Sequence, residues 1–264
     1  MTVDAVTRAR WLLEQHRAGA PFESFLAAEP AADMARAYDV QDAFVALLSQ
    51  AGRGVPAGYK IGLTSRPMQT MCGIDHPVAG VVLSQRVHRS PTAVRRGDFV
   101  RLGVESELAV QFARPLSPLS GAAVDVDDVL ASLGTAAAAF ELVDDRGADY
   151  GALDARSLVA DNSWNEGIVL GEAVSPHGLG DLGALDGTLE IDGRVVDRGS
   201  SGGAVGGPLA AVAWLAEHLA ARGRRIEPGD WVMTGSVVTT RFAQPEERYR
   251  FTLGALPAVE LEIG

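Results

Sequence analysis

The feature that most constrains the fold is a change of pattern near residue 55. Before it, apolar residues recur every three to four positions, which is typical of helices, and Asp33 is a plausible N-cap. After it, short apolar runs of β type are separated by Gly, Pro and Asp. These runs are 58–64, 78–83, 98–113, 140–144, 165–171, 188–199, 230–236, 248–254 and 258–264.

Two further helices are predicted within this β-rich part, over 127–139 and 208–223. Strands and helices therefore do not alternate regularly, which argues against a doubly wound nucleotide-binding sheet. We expect an α+β fold in which a helical segment, residues 1–54, joins a β-rich mixed roll or barrel-like body, residues 55–264.

Composition narrows the class of protein. The chain has 264 residues, enough for a sizeable core, and a net charge of −11. This acidity argues against nucleic acid or an anionic membrane as the main partner, since both select basic patches. The sequence shows neither an apolar run of membrane-helix length nor a secretory signal, and its single cysteine, Cys72, excludes an internal disulfide framework. We expect a soluble cytoplasmic protein.

One predicted strand, FVRLGVESELAVQF, carries two acidic residues on one face. Because alternate strand residues share a face, Glu105 and Glu107 lie together, opposite the apolar residues of that strand. Two such carboxylates repel each other unless a positive group lies between them. A divalent cation with oxygen ligands, Mg²⁺ or Mn²⁺, meets that need. The alternative is an ordinary strand with one solvated face, from which both glutamates reach water.

A second acidic cluster, FELVDDR, occupies residues 140–146. Glu141 stands between two apolar neighbours, which is unusual for a solvated acid, and is a candidate third carboxylate for the cation. The alternative is a helix end turning into a strand, with Asp144 and Asp145 paired to Arg146.

The run GYKIGLTS places Lys60 among apolar residues. Burial there would lower the pKa of its amine towards values useful for proton transfer, whereas an edge-strand lysine would extend to water. Thr64 and Ser65 follow, either as donors to a substrate carboxylate or as caps of a short helix that begins at Pro67.

Other polar segments carry weaker signals. The Gly-rich run 199–208 matches no phosphate-binding fingerprint, and we expect a flexible turn or a close-packed loop beside the substrate. The five histidines show no metal-binding spacing. Only His76, which adjoins Asp75, merits attention among them.

Several of these segments occur in an order that is similar to a known family. They are GYKIGLTSRPMQ, GIDHPVAG, VESELA, AFELVDDR, ADNSWNEGIVLG, GGPLAAVAWLAEHLA and GDWVMTGS. The series resembles the 2-keto-4-pentenoate hydratase / 4-oxalocrotonate decarboxylase family, within the fumarylacetoacetate hydrolase-like superfamily, from about residue 33 to the C-terminus.

The resemblance implies a mixed β-roll core with N-terminal helices, a homo-oligomer, and a Mg²⁺ or Mn²⁺ site with three carboxylates. By motif, these carboxylates are Glu105, Glu107 and Glu141. Lys60 matches the active-site lysine. The matching substrate-side polar residues are Asn162, Ser163 and Ser236.

One departure from the family lies in the segment GIDHPVAG. Many hydratases carry an acid shortly after the proline of the GIDHP-like segment, and here Val78 stands in that place, which leaves Asp75 as the local catalytic acid. An apolar residue at this position is more like the decarboxylase branch.

Four functions follow from these features. The first is a metal-dependent hydratase that adds water to a 2-hydroxy-2,4-dienoate and yields a 4-hydroxy-2-oxo acid. The second is a decarboxylase of a 2-oxo-3-enedioate. The third, hydrolysis of an acylpyruvate, needs a His–acid pair such as His76 and Asp75. The fourth is a non-catalytic partner subunit, and a complex with a paralogous hydratase or decarboxylase subunit is a related expectation.

Overall fold

Two helices open the chain. The computed structural model describes residues 3–29, 32–118 and 123–264. Helix α1 (Val3–Ala18) packs on α2 (Met34–Leu48), which one wider turn, Ser49–Arg53, extends. As the sequence predicts, Asp33 caps α2, because its side chain accepts a hydrogen bond from the Arg36 amide at 2.8 Å.

Shorter helices lie between the strands that follow. They are α3 (Arg66–Met71), α4 (Val126–Ser132), α5 (Ala155–Ala160) and α6 (Pro208–Ala221). Helix α6 agrees with the prediction over 208–223, and its first residue is a proline, whose fixed φ suits that position. Within the described ranges, no helix is both long and apolar enough to cross a membrane.

The strands follow the predicted runs closely and add three short ones. They are β1 (Pro56–Gly62), β2 (Val78–Leu83), β3 (Val87–Arg89), β4 (Thr92–Val94), β5 (Leu102–Phe112), β6 (Leu133–Asp144), β7 (Asn165–Leu170), β8 (Asp186–Ile191), β9 (Arg194–Ser200), β10 (Trp231–Ser236), β11 (Arg241–Phe242), β12 (Arg248–Leu253) and β13 (Leu256–Ile263). The short strands β3, β4 and β11 carry no clear alternation in the sequence.

The described strands form two sheets. The larger sheet has the order β2-β1-β10-β5-β6-β7-β3, and β11 pairs with β5 beside this path. The smaller sheet has the order β4-β13-β12-β8-β9. Strands β8 and β9 form a hairpin, in which Asp192 and Gly193 both adopt the positive φ that its tight turn requires.

The sheets share one hydrophobic core. Phe140 of β6 packs against Tyr249 and Phe251 of β12, with ring centroids 6.2 Å apart in each case. Leu12 of α1 and Phe44 of α2 belong to the same buried cluster as these residues. The predicted α+β fold with N-terminal helices is confirmed, although the described strands form two separate sheets and not a closed barrel.

The helix predicted over 127–139 is too long. Helix α4 ends at Ser132, and residues 133–139 belong to β6. This run, LGTAAAA, is rich in alanine, which favours helices by intrinsic propensity. It pairs instead with β5 along its length and is buried on both faces, so tertiary packing overrides the local preference. Glu141 therefore lies within a long strand and not just after a helix.

The contact between β1 and β10 generates a stability prediction. At Gly58, φ is +150°, and an added Cβ would lie 2.0 Å from the carbonyl oxygen of Trp231. We expect Gly58→Ala to destabilise the protein by about 2–5 kcal/mol, because steric overlap and an unfavourable φ add together. Denaturant unfolding of both proteins measures this difference.

Gly97→Ala is the matched control. Gly97 is exposed, and an added Cβ would meet nothing within 4 Å. Its free energy of unfolding should stay close to the wild-type value. Equal stabilities of the two variants would contradict the packing of β1 on β10.

Candidate metal centre and pocket

Three carboxylates converge on the central pair of the larger sheet. Strands β5 and β6 are antiparallel, and their register sets Glu105 opposite Glu141. Glu107 lies two residues along β5 on the same face. One oxygen from each of the three side chains lies within 4.8 Å of the others. The register of β5 and β6 therefore brings a third carboxylate to the pair that the sequence predicts.

Burial decides between the two sequence interpretations of β5. Glu107 and Glu141 are each 0 % exposed, and Glu105 is partly buried at the wall of a pocket. The alternative of an ordinary strand with a solvated face is therefore wrong. The alternative pairing after β6 is also wrong, because Arg146 pairs with Asp161, and Asp145 pairs with Arg101.

Each carboxylate is held by one neighbour. The Gly235 amide donates to Glu107 Oε2 at 2.9 Å, and Asn165 Nδ2 donates to Glu141 Oε1 at 2.8 Å. The Thr240 hydroxyl donates to Glu105 Oε1 at 2.6 Å. These bonds fix the direction in which each carboxylate points, which is how outlying partners commonly orient metal ligands.

The remaining oxygens of the two buried carboxylates lack partners. Glu107 Oε1 and Glu141 Oε2 are buried, and neither has a hydrogen-bond partner. Leaving a buried charged acceptor unsatisfied is costly, so such atoms call for an explanation. A hard cation that prefers oxygen ligands explains both atoms at once. The donor set therefore fits a divalent metal ion, which Glu105, Glu107 and Glu141 would share.

Like charges in a buried position shift the acidity of the cluster. Burial, followed by the charges of Glu141 and Glu105, raises the pKa of Glu107 well above its usual range. Burial raises the pKa of Glu141 to about 7, although Lys60 acts in the opposite direction. A cation between the carboxylates offsets this repulsion, so the electrostatics and the unpartnered oxygens indicate the same kind of site.

Lys60 lies against the cluster. Its side chain is buried on β1, and Nζ is 3.3 Å from Glu141 Oε1. Strand β1 lies between β2 and β10, so the interpretation as an edge-strand lysine is wrong. Burial alone would lower the pKa of Lys60, but the charges of Glu141, Glu105 and Glu107 outweigh it and raise that pKa. Without a cation in the cluster, the shift is therefore opposite to the predicted lowering.

Lys60 is also the only lysine in the sequence, in which every other strongly basic residue is arginine. Arginine stays protonated at any accessible pH, whereas a lysine amine can release its proton. Lys60 is therefore the one Lys or Arg side chain in the sequence that can release a proton and take it up again.

A pocket of about 360 Å³ opens from the cluster. Its polar wall residues are Lys60, Thr64, Ser65, Glu105, Tyr150, Ser163, Ser236, Thr239 and Thr240. Its larger apolar wall residues are Ile61, Leu63, Met68, Val78, Val143, Leu153, Leu158, Trp164 and Val238. Such a cavity, with charged groups at one end and apolar walls, suits a small amphiphilic acid.

The four predicted hydroxyl residues all line this pocket, but they differ in their hydrogen bonds. Ser163 Oγ donates to the Ala79 carbonyl at 3.1 Å, and Ser236 Oγ donates to the Val238 carbonyl at 2.6 Å. Ser65 stands at the N-cap position of α3, yet its side chain makes no capping bond. A purely capping role for Ser65 is therefore wrong. The Gly-rich loop also reaches the pocket, through the exposed Gly203.

Two predicted site residues lie elsewhere. Asn162 is buried, and its amide bonds both the N–H and the carbonyl of Val81, so it supports the turn that carries Ser163. Asp75 is exposed, in a bend after α3, and faces a separate cleft with Cys72 and His76. The predicted catalytic role of Asp75 is therefore not supported, because the end of α3 directs this bend away from the pocket.

Histidine is absent from the described wall of the pocket. His76 Nδ1 contacts the Pro77 carbonyl at 2.7 Å, and its ring stacks on Trp214. The third function, hydrolysis of an acylpyruvate, depended on His76 and Asp75 and has no counterpart in this pocket.

Sequence reasoning missed several contributors. Asn165, Gly235 and Thr240 hold the three carboxylates, and Tyr150 and Trp164 form part of the pocket wall. Asn165 gave a weak signal, since an amide opens a strand that ends in three apolar residues. Gly235 donates through its backbone, which no side-chain pattern records.

The orphaned oxygens generate a binding prediction. Glu107→Gln keeps the size of the side chain and an acceptor for the Gly235 amide, but it removes one negative charge from the cluster. We expect Mg²⁺ affinity, measured by calorimetry on chelator-treated protein, to fall by about 100-fold or more. Without metal, the variant should have a higher Tm than the wild type, because repulsion among buried carboxylates is relieved.

Glu172→Gln is the control, since Glu172 is exposed and lies outside the cluster. Its Mg²⁺ affinity and metal-free Tm should match the wild type. If Glu107→Gln and Glu172→Gln bound Mg²⁺ equally well, the three carboxylates would not form the metal site.

Comparisons with known proteins find relatives over most of the chain. Residues 64–263 match the model of the fumarylacetoacetate (FAA) hydrolase C-terminal family. A 2-keto-4-pentenoate hydratase from Burkholderia vietnamiensis is 32% identical over 79% of this chain and 78% of its own length. A 4-oxalocrotonate decarboxylase from Pseudomonas putida is 29% identical over 71% of this chain and 70% of its own length.

A solved structure extends the likeness to the whole fold. It is 4-oxalocrotonate decarboxylase from Pseudomonas putida G7, complexed with magnesium and adipate. Its TM-score is 0.91 at 25% identity, and the match covers 100% of this chain and 99% of that one. The predicted resemblance is thereby confirmed, and the chain belongs to the fumarylacetoacetate hydrolase C-terminal family.

Proposed function

We propose that this protein is a metal-dependent lyase that adds water to a 2-hydroxy-2,4-dienoate and yields a 4-hydroxy-2-oxo acid. The observation that carries the proposal is the convergence of Glu105, Glu107 and Glu141 beside Lys60, at one end of a small and largely apolar pocket. Relatives named as 2-keto-4-pentenoate hydratase and 2-hydroxyhexa-2,4-dienoate hydratase support it.

The metal ion of the proposal is Mg²⁺, with Mn²⁺ as the alternative. Held by the three carboxylates, it would supply a Lewis acid for the carboxylate and the 2-oxygen of the substrate. The magnesium named with the related decarboxylase structure favours Mg²⁺.

Lys60 transfers protons in this proposal. Its Nζ lies next to the carboxylate cluster, which is the end of the pocket that receives the acid group of the substrate. As an ammonium ion, Lys60 gives a proton to C5 of the dienoate, and the resulting amine takes one from the 2-hydroxyl, so the enol becomes a ketone and the remaining double bond lies between C3 and C4. This double bond is conjugated with the ketone, and C4 accepts water.

The hydroxyl groups of the pocket divide into two kinds. Ser163 and Ser236 already donate their protons to backbone carbonyls, so they offer lone pairs that orient the incoming water. Thr64 and Ser65 lie at the start of α3, and we assign them the role of donors to the substrate carboxylate.

One observation favours a second candidate, the decarboxylase of a 2-oxo-3-enedioate. Val78 is fully buried in the pocket wall, where an acid would be suited to activate water. An apolar wall destabilises a carboxylate at the distal end of the substrate more than it destabilises the neutral CO₂ that leaves. The non-catalytic subunit is less well supported, because the carboxylate cluster and Lys60 are intact.

An assay with both substrates separates these reactions. Purified protein with Mg²⁺ is incubated in H₂¹⁸O with 2-hydroxypenta-2,4-dienoate and, separately, with 2-oxohex-3-enedioate. We expect ¹⁸O at C4 of a 4-hydroxy-2-oxo acid from the first substrate. Release of CO₂ from the second substrate, without hydration of the first, would establish the decarboxylase instead. Inertness towards both substrates would refute both candidates.

The role of Lys60 generates a mutational prediction. Lys60→Arg keeps the positive charge beside Glu141 but removes the ability to release a proton. We expect kcat to fall by about 10²–10⁴-fold, which is the usual contribution of general acid–base catalysis, while Mg²⁺ still binds.

Arg66→Lys is the reciprocal control, because Arg66 is exposed at the start of α3 and does not line the pocket. Its kcat should match the wild type. Normal turnover by Lys60→Arg would remove Lys60 from proton transfer.

Four further expectations accompany the proposal. A cytoplasmic location and a homo-oligomer both stay predictions, as does a complex with a paralogous subunit. Val195 and Val196 are 49% and 38% exposed on the edge strand β9, which supports an oligomer because apolar edges are commonly covered. The division of the chain at residue 54 also stays a prediction.

A further inference from the structure

The turn from α5 into β7, here taken as residues 161–166 and so including the first two residues of β7, contributes to both the metal centre and the pocket. Ser163 and Trp164 line the pocket, and Asn165 holds Glu141. The backbone of this turn is unusual. Asn162, Ser163 and Trp164 have φ values of +50°, +50° and +62°, although none of them is glycine. Consecutive left-handed residues with a Cβ are unfavourable and persist only where neighbouring groups hold them.

One side of the 161–166 turn is held by β2. The Asn162 side chain bonds both backbone groups of Val81, at 2.8 and 2.9 Å, and Ser163 Oγ donates to Ala79. These contacts fix the middle of the turn. The backbone of its ends is held by α5 and β6, since the Asp161 amide donates to the Ser157 carbonyl and Asn165 pairs with Val143.

The ends of the turn are joined by His16 of α1. His16 Nε2 is 2.6 Å from Asp161 Oδ1, and His16 Nδ1 is 3.5 Å from Glu166 Oε1. The imidazole therefore lies between two carboxylates that flank the left-handed residues. The ring is 11% exposed and packs on Phe44 of α2, at 5.0 Å between centroids.

The charge state of His16 follows from this geometry. A neutral imidazole has one N–H, so only the imidazolium ion can donate to both carboxylates. Burial opposes protonation, but Asp161 and then Glu166 outweigh it and raise the pKa of His16 to about 9. The other charged groups in the network are arginines. Arg146 pairs with Asp161 at 2.5 Å, Arg53 pairs with Glu166, and Arg86 lies 3.9 Å from Glu166.

We propose that His16 is a positioning residue that links Asp161 to Glu166, holds the turn between them in its left-handed conformation, and so places Ser163 and Trp164 in the pocket wall. Only the kinetic part of this inference rests on the proposed function. Without His16, Asp161 and Glu166 keep their arginine partners, so the fold should survive while the link between the two ends of the turn is lost.

His16→Gln tests the proposal, with Arg8→Gln as the matched control. Arg8 lies on the same helix and pairs with Glu29, away from the turn. Hydrogen exchange of the 161–166 segment is followed by mass spectrometry, and kcat/KM is measured with the substrate that the wild type converts. We expect at least about tenfold faster exchange and at least about tenfold lower kcat/KM for His16→Gln, because small displacements of positioning groups cost this much. Arg8→Gln should match the wild type in both.

The pH dependence supplies a measurement on the wild type itself. The pKa of His16 is raised above the ordinary 6.5 to about 9, so the link is fully present below pH 6.5 and is lost as the pH rises through about 9. After correction for intrinsic exchange, protection of the 161–166 segment should therefore fall between pH 8 and pH 10 in the wild type and in Arg8→Gln. It should stay level in His16→Gln.

The outcomes separate the two claims. Protection and its pH dependence in His16→Gln that match Arg8→Gln would overturn the proposal, and so would a wild-type segment whose protection ignores pH. If the wild type converts neither substrate, the proposed function fails, and the exchange data alone still decide the role of His16.

Discussion

Two fully buried carboxylates and a third at a pocket wall meet at the centre of the larger sheet. The other groups of the site must offset the electrostatic repulsion among these three side chains. Each buried carboxylate loses the solvation of water, which costs several kcal/mol per ion in typical proteins. Lys60 and single hydrogen bonds from Gly235 and Asn165 compensate only part of this, since Glu107 Oε1 and Glu141 Oε2 keep no partner. A bound divalent cation would supply the missing partner of both oxygens.

The fold explains why these residues meet. Strands β5 and β6 are long neighbours in the middle of the sheet, buried on both faces, so side chains projecting from them are held by backbone pairing on either side. Strand β1 brings Lys60 to the same region, and the end of β10 brings Gly235. Rigid strands thus position the charged groups, and the pocket wall is built from strand residues together with turns and short helices.

Much of this site could be read from local pattern. The two-residue spacing of Glu105 and Glu107 predicted a shared face, and Lys60 stood out within an apolar run. Pattern made Glu141 only a candidate, because its place opposite Glu105 depends on strand register, and the Ala-rich start of β6 predicted a helix. The family resemblance then favoured Glu141 as the third ligand. The predicted direction of the Lys60 pKa shift differed for a related reason. The carboxylates that raise this pKa lie on other strands.

Asp75 was wrongly assigned and His16 was overlooked because closeness in the sequence does not show which residues lie close together in the fold. Sequence neighbours suggested that His76 and Asp75 act together, but a bend after α3 carries both away from the pocket. His16 lacked any local signal, because its two carboxylates lie about 150 residues further along the chain. The relatives support a hydratase, and Val78 keeps the decarboxylase as its closest competitor, since one apolar side chain alters the chemistry without altering the fold.

We propose that Glu105, Glu107 and Glu141 hold one divalent ion beside Lys60, and this site can be tested directly. Because the sequence contains a single lysine, protein labelled with ¹⁵N-lysine gives one backbone amide resonance. Titration with Mn²⁺, whose unpaired electrons broaden nearby nuclei, measures the distance directly. We expect one equivalent of Mn²⁺ to abolish this resonance and excess Mg²⁺ to restore it. A resonance that stays sharp beyond one equivalent of Mn²⁺ would show that no ion is held beside Lys60.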